Sequence, residues 1–266
     1  MRKQFGGEVI VVVDGPEDPD TRRVAGEHGA RVEVLGAHRG INAARNAATR
    51  AAAGDLLAFL DDDVAVWPGW HDALARAAGE HPEAGCFGGP IRPVLDGPAP
   101  RGCGRPQDAP VTALDLGPRD REAPFAWGAN FAVRRSALEQ VGGFDETIAD
   151  CGDEEDWQRR LHSAGGTVRY VARAGVDHRR SGDDARLRPL ARAAYRRGRA
   201  ARRYDEGKAT APALRSELRV LAGTLWHVAT RGCVAGLVPV ARTAGRIAEA
   251  VRRASRDAGA ATSARR

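Results

Sequence analysis

Five apolar residues, Leu56-Leu57-Ala58-Phe59-Leu60, run directly into three consecutive carboxylates, Asp61, Asp62 and Asp63. The apolar run behind Gly54-Asp55 fits a strand buried on both faces of a parallel sheet. Three acids at its carboxyl end repel one another unless a cation sits among them, and carboxylate oxygens are the ligands that Mg²⁺ and Mn²⁺ prefer. Open α/β sheets bind ligands at that edge. The pattern therefore points to a metal holding a diphosphate, against the plainer alternative of a solvated acidic turn behind a core strand.

The flanking sequence supplies the rest of such a sheet. Residues 8–13 form a β-branched run ending in Asp14-Gly15-Pro16, a strand and a turn. Residues 31–35 and 85–89 read as further strands, and 21–28, 42–53 and 69–81 as helices, the second closed by Gly54 as its C-cap. This alternation predicts a parallel α/β sheet. Eight prolines between 90 and 124 predict a long loop or flexible flap. Order resumes at 125–133, followed by a helix at 135–141, a helix at 153–164 with an acidic first turn that suits its dipole, and a strand at 167–171. Two domains are expected: residues 1–182, and an Arg-rich helical extension at 183–266. In the extension 186–204 is one helix, 214–251 is amphipathic with breaks at glycines and Pro239, and the chain frays beyond Arg252.

The net charge of +6 in 266 residues comes almost wholly from arginine, since Lys3 and Lys208 are the only lysines. Alongside the abundant Ala and Gly this reflects overall composition, and no specific nucleic-acid partner is expected. The widely spaced Cys86, Cys103, Cys151 and Cys233 form no CxxC and suggest neither a zinc site nor a disulfide framework, in keeping with a reducing cytoplasm. No apolar run of about 18 residues is present, so no spanning helix is expected.

Five motifs occur in order. They are Glu8-Val9-Ile10-Val11-Val12-Val13-Asp14-Gly15; Gly40-Ile41-Asn42-Ala43-Ala44-Arg45-Asn46 with Ala53-Gly54-Asp55; Asp61-Asp62-Asp63; Trp127-Gly128-Ala129-Asn130-Phe131 through Gly142-Gly143-Phe144-Asp145-Glu146; and Gly152-Asp153-Glu154-Glu155-Asp156-Trp157 with Arg160-Leu161. Together they resemble a family 2 glycosyltransferase of the GT-A fold, a Rossmann-like mixed sheet flanked by helices. The resemblance implies an inverting transfer from a nucleotide-diphosphate sugar to a hydroxyl acceptor, with Mg²⁺ or Mn²⁺. It implies that Asp14, Arg45, Asp61 and Asp62 contact the nucleotide sugar, and that Asp61, Asp63 and His178, taken to follow the last strand, ligate the metal. Trp127, Asn130 and Trp157 are implied on the acceptor side. The base has two registers. Counting back six residues from Arg160 gives Glu154, which ranks first, and reading Glu155-Asp156 as the motif's acidic pair gives Asp156.

The resemblance also implies that the family's first strand and helix are missing ahead of Glu8. The arginines of 179–203 suggest phosphates or anionic lipid heads as partners, hence peripheral contact at the inner face of a membrane. Two rivals remain: an inactive truncated homologue that binds polyanions, and a sugar-1-phosphate nucleotidyltransferase, which would want a basic Gly-rich loop near the first strand.

Overall fold

A computed structural model describes residues 7–97, 100–103, 112–148, 153–180 and 182–263. Cys151, and Gly152 of the fifth motif, lie outside the described residues, as do 98–99 and 104–111 of the expected flap. The described residues fall into two compact units, one from 1–92 and 112–178, the other from 93–111 and 179–266.

The first unit opens with β1 (Ile10–Val13), α1 (Pro19–Glu27), β2 (Arg31–Val34) and α2 (Ile41–Ala51). Asp18 caps α1 by accepting from the Thr21 amide at 3.0 Å, with Pro19 in the first turn where its missing N–H costs nothing. β1 and β2 pair in parallel as a separate two-stranded sheet. α2 ends before the expected Gly54 cap. Ala52 is already extended, and the Arg135 side chain donates to the carbonyls of Ala52 and Gly54 at 2.7 and 3.0 Å.

Next come β3 (Leu56–Leu60), β4 (Val64–Val66), α3 (Trp70–Glu80), β5 (Ala84–Gly88), β6 (Ile91–Leu95) and β7 (Arg121–Ala123). They are followed by β8 (Asn130–Arg134), α4 (Arg135–Val141), α5 (Asp153–Ser163), β9 (Thr167–Tyr170) and β10 (Val176–Arg180). The main sheet has the order β3-β8-β5-β9-β7, and β4-β10-β6 form a second. The main sheet is mixed, as the resemblance implied, and not all-parallel as the strand–helix alternation alone predicted: β3 pairs antiparallel with β8, and only β5 and β9 run parallel within it. The 90–124 segment is partly sheet, containing β6, β7 and a bridge between Ile91 and Leu114.

Side-chain alternation divides the main sheet's two faces. Leu56, Leu60, Phe87 and Ala132 face one core with Trp70 and Leu74 of α3. Leu57, Phe59, Cys86, Phe131 and Val133 face another with Leu138 of α4 and Trp157 and Leu161 of α5.

The second unit holds α6 (Leu187–Gly207), α7 (Leu214–Arg231) and α8 (Leu237–Ser263). Of the breaks expected at glycines and Pro239, the one at a glycine is found: Gly232, with φ of 58°, ends α7 in the left-handed region, while Pro239 makes none. Pro239 sits in the first turn of α8, where proline is tolerated. The expected fraying beyond Arg252 is replaced by helix to Ser263. α6 and α8 approach backbone to backbone: a Cβ on Gly198 would lie 2.0 Å from the Arg242 carbonyl oxygen, and one on Gly245 2.1 Å from that of Tyr195. Several arginines of this unit are committed internally. Arg202 and Arg246 donate to the buried Glu217 at 3.2 and 2.9 Å, and Arg199 to the buried Glu249 at 2.7 Å. Among the described residues no helix is long and apolar enough to cross a membrane.

Candidate active site

The carboxylate run leaves β3 and enters β4. β10 pairs antiparallel with β4, setting His178 opposite Val64 and so beside Asp63. His178 therefore lies within a strand, not after the last one as expected. Ligand atoms of Asp61, Asp63 and His178 all fall within 4.8 Å of one another. His178 is 2% exposed, and neither ring nitrogen makes a hydrogen bond among the described residues, although Nε2 lies 3.1 Å from Asp63 Oδ1. A buried imidazole without hydrogen bonds is costly unless its lone pair has another partner. Two carboxylates and an imidazole are a donor set that a divalent cation fits. Burial raises the Asp61 carboxyl above the usual range and Asp63 and Asp62 add to this, while Arg45 and His178 oppose it. Asp62 itself is exposed. The neighbouring Asp177 is held by Arg92 through two bonds of 2.8 and 2.7 Å and by Trp67 Nε1 at 2.8 Å, which fixes the strand that carries His178.

The acidic start of α5 is organised by Arg45 of α2. Its guanidinium is 5% exposed, pairs with Asp153, donates to Asn42 Oδ1 at 3.2 Å, and lies 5.1 Å from the Phe131 ring centroid. Arg45, expected to contact the nucleotide sugar, pairs here with Asp153, and its charge also acts on Asp61. Burial alone would raise Asp153, but Arg45 and hydrogen bonding outweigh it and hold that carboxyl low. Glu154 behaves oppositely: burial, then the adjacent Asp153 charge, pushes its carboxyl well above the usual range. Its Oε1 accepts from the Gly128 amide at 3.1 Å. The fields of Arg45 reach Asp61, Asp153 and Glu154 alike. Asp156, the rival register, is buried and engages Arg160 at 3.3 Å. Arg160 also donates to the carbonyls of Val141 and Gly143 at 2.6 and 2.7 Å, so this pair braces the Gly142-Gly143-Phe144-Asp145 loop.

Of the acceptor-side residues, only Trp127 is open, at 40% exposure. Trp157 is fully buried and donates to the Gly142 carbonyl at 2.9 Å, so it cannot stack on a sugar. Asn130 is buried too. It accepts from Trp70 Nε1 at 3.0 Å and donates to the carbonyls of Pro90 and Ala174 at 3.2 and 2.8 Å, a brace between strands instead of an acceptor contact. Asp14 accepts from the amides of Arg39 and Gly40 at 2.6 and 2.9 Å and so orders the turn ahead of α2.

Three supporting residues escaped the sequence reading. Buried Gln158 accepts from the Ala126 amide at 2.6 Å and donates to its carbonyl at 2.9 Å, holding the strip that carries Trp127 and Gly128. Asn46 exchanges two bonds with the backbone of Phe144, at 2.8 and 2.9 Å. Asn42 donates to the Asp145 carbonyl at 2.7 Å. For Asn42 and Asn46 a signal existed, since both flank Arg45 in its motif; a lone glutamine inside a helix offered none.

A sequence model of the family described as Glycosyl transferase family 2 matches residues 5–142, just over half of the chain. The chain is 35% identical over 268 residues to the pre-mycofactocin glycosyltransferase of two Mycobacterium tuberculosis strains, covering 93% of this chain and 53% of the relative. It is 26% identical over 193 residues to the glucosyl-dolichyl phosphate glucuronosyltransferase of Haloferax volcanii, covering 65% of this chain and 59% of that protein. The chain thus spans about half the length of the curated relatives it matches. Among solved structures, GalNAc-T7 with UDP, GalNAc and Mn²⁺ superposes with a TM-score of 0.53 at 16% identity, over 71% of this chain and 42% of that one, a likeness of fold.

Proposed function

The chain belongs to glycosyl transferase family 2, and from that premise we propose that it moves a sugar, with inversion, from a nucleotide-diphosphate sugar to a hydroxyl acceptor with the help of Mg²⁺ or Mn²⁺. The observation that carries the reading is the buried His178, without hydrogen bonds among the described residues, facing Asp61 and Asp63. In this reading those three residues hold the cation, which when bound neutralises the leaving diphosphate as a Lewis acid. Glu154 takes the proton of the acceptor hydroxyl. The oxygen attacks the anomeric carbon as the bond to the diphosphate breaks, and the nucleoside diphosphate departs with that electron pair. The raised carboxyl of Glu154 suits proton abstraction near neutral pH. Arg45 positions the acidic helix start, Trp127 offers an apolar face to a sugar ring, and Asp14 and Asp62 line the nucleotide side.

Incubating the chain with UDP-, GDP- and dTDP-sugars and a panel of hydroxyl acceptors tests this reading. Metal-stimulated release of nucleoside diphosphate is expected, with an inverted anomeric centre by NMR. Consumption of a sugar-1-phosphate and a nucleoside triphosphate would favour the nucleotidyltransferase alternative. Polyanion binding with no nucleotide affinity would favour the inactive one.

The same reading includes peripheral contact with an anionic membrane surface. α7 exposes Leu214, Leu218, Leu225 and Trp226 at helical spacing, Trp226 at 73%, with Arg215 and Arg219 beside them. Co-sedimentation with phosphatidylserine vesicles is expected, weakened by salt and by Trp226→Glu. Equal recovery with neutral and anionic vesicles would overturn it.

A further inference from the structure

We infer that Cys103, His227 and Cys233 form a zinc site within the helical unit, separate in chemistry from the carboxylate group. His227 and Cys233 lie six positions apart but Cys103 lies 124 positions before His227, and the cysteines form no CxxC, which is why no zinc site was expected from the cysteine spacing. The fold brings them together: ligand atoms of all three lie within 4.8 Å of one another, and Cys103 Sγ is 3.2 Å from His227 Nε2. A tetrahedral set built on Zn–S of 2.3 Å and Zn–N of about 2.0 Å needs ligand separations of about 3.5–3.8 Å, so small adjustments close the site.

Each ligand is delivered by a distinct local device. His227 lies in the last turns of α7. The left-handed turn at Gly232 reverses the chain after α7, and the buried Cys233 follows at the head of the 3₁₀ turn Val234–Gly236. Cys103 arrives on the stretch 100–103, fastened there by the Ala235 amide donating to the Arg101 carbonyl at 3.0 Å. Two thiolates and an imidazole form a soft set that selects zinc over Mg²⁺ or Mn²⁺. Three protein ligands leave the fourth position to water or an added ligand. Zinc binding here would tie the 100–103 stretch to the end of α7 and stabilise the folded unit, because the set does not exist in the unfolded chain.

The full chain, reduced and stripped of metal, is titrated with Co²⁺ and then Zn²⁺. One equivalent of Co²⁺ should give a thiolate-to-cobalt charge-transfer band that Zn²⁺ bleaches, and the chain isolated without chelator should carry one zinc by mass spectrometry. Cys103→Ser and His227→Ala should each weaken zinc affinity by about a hundredfold or more. Asp61→Ala/Asp63→Ala should leave the band intact, which separates this site from the proposed catalytic one. The wild-type cobalt spectrum requires no substitution at buried Cys233, so a misfolded variant cannot obscure the result. Absence of the band in the reduced wild-type chain, unchanged zinc affinity in Cys103→Ser, or a Cys103–Cys233 disulfide that takes up no metal after reduction would each overturn the assignment.

Discussion

Glu154→Gln is expected to lower sugar transfer by about 10²–10⁴-fold, the usual worth of a positioned base, while nucleotide binding survives. The amide keeps the shape of the side chain and its oxygen still accepts from Gly128, but it cannot take a proton. Asp156→Asn is the control. Asp156 pairs with Arg160, which in turn donates to the Val141 and Gly143 carbonyls, so its loss should appear as lowered stability, with turnover per folded molecule largely kept. Single-turnover transfer and nucleotide titration on both variants decide the matter. Near wild-type turnover in Glu154→Gln would remove Glu154 as the base.

The pH profile adds a second readout of the same residue. A base acts unprotonated, so kcat/KM should climb with pH through the raised pKa of Glu154 and level off above it. For stability the sign is opposite. The folded state holds this proton more tightly than the unfolded chain does, so stability is greatest below the ordinary carboxylate range and falls as pH rises through the raised value. Each unit of displacement is worth about 1.4 kcal/mol. Asp153 contributes in the other direction: its carboxyl is held low, so its stabilisation is present at neutral pH and lost as pH falls through its folded value. Glu154→Gln should flatten the decline toward alkaline pH and leave the acid limb in place.

Asp63→Ala is expected to cut transfer by about 10²-fold or more. Neutralisation of a leaving diphosphate is worth several kcal/mol, and ~1.4 kcal/mol is a factor of ten in rate. Calorimetry with UDP, GDP and dTDP, with and without Mn²⁺, should show nucleotide affinity that depends on the metal in the wild type and loses that dependence in the variant. Nucleotide binding that ignores Mn²⁺ in the wild type and is unchanged in Asp63→Ala would sink the metal role. Asp62→Ala should weaken nucleotide binding but keep its dependence on Mn²⁺, since Asp62 is exposed and outside the Asp61–Asp63–His178 group.

The sequence by itself determined the elements around the site and the kind of chemistry they carry. The span of β3 was legible because five apolar residues between Asp55 and Asp61 admit no other strand boundaries, and α4 because its apolar spacing and closing Gly142 are local signals. The motif order was enough to name the family. Only the tertiary structure decided the partners. An apolar strand reads the same whether its neighbour runs parallel or antiparallel, so the pairing of β3 with β8 could not be read from it. Trp157 and Asn130 sit in motifs, but whether a motif residue faces a cleft or the core depends on what packs against it, and here both face inward. The Arg45–Asp153 pair spans 108 positions and Cys103–His227 spans 124. Contacts of that separation leave no periodic trace along the chain. They arise from burial of the two sheet faces and the helix seams, which brings distant polar groups together and sets the charge on each.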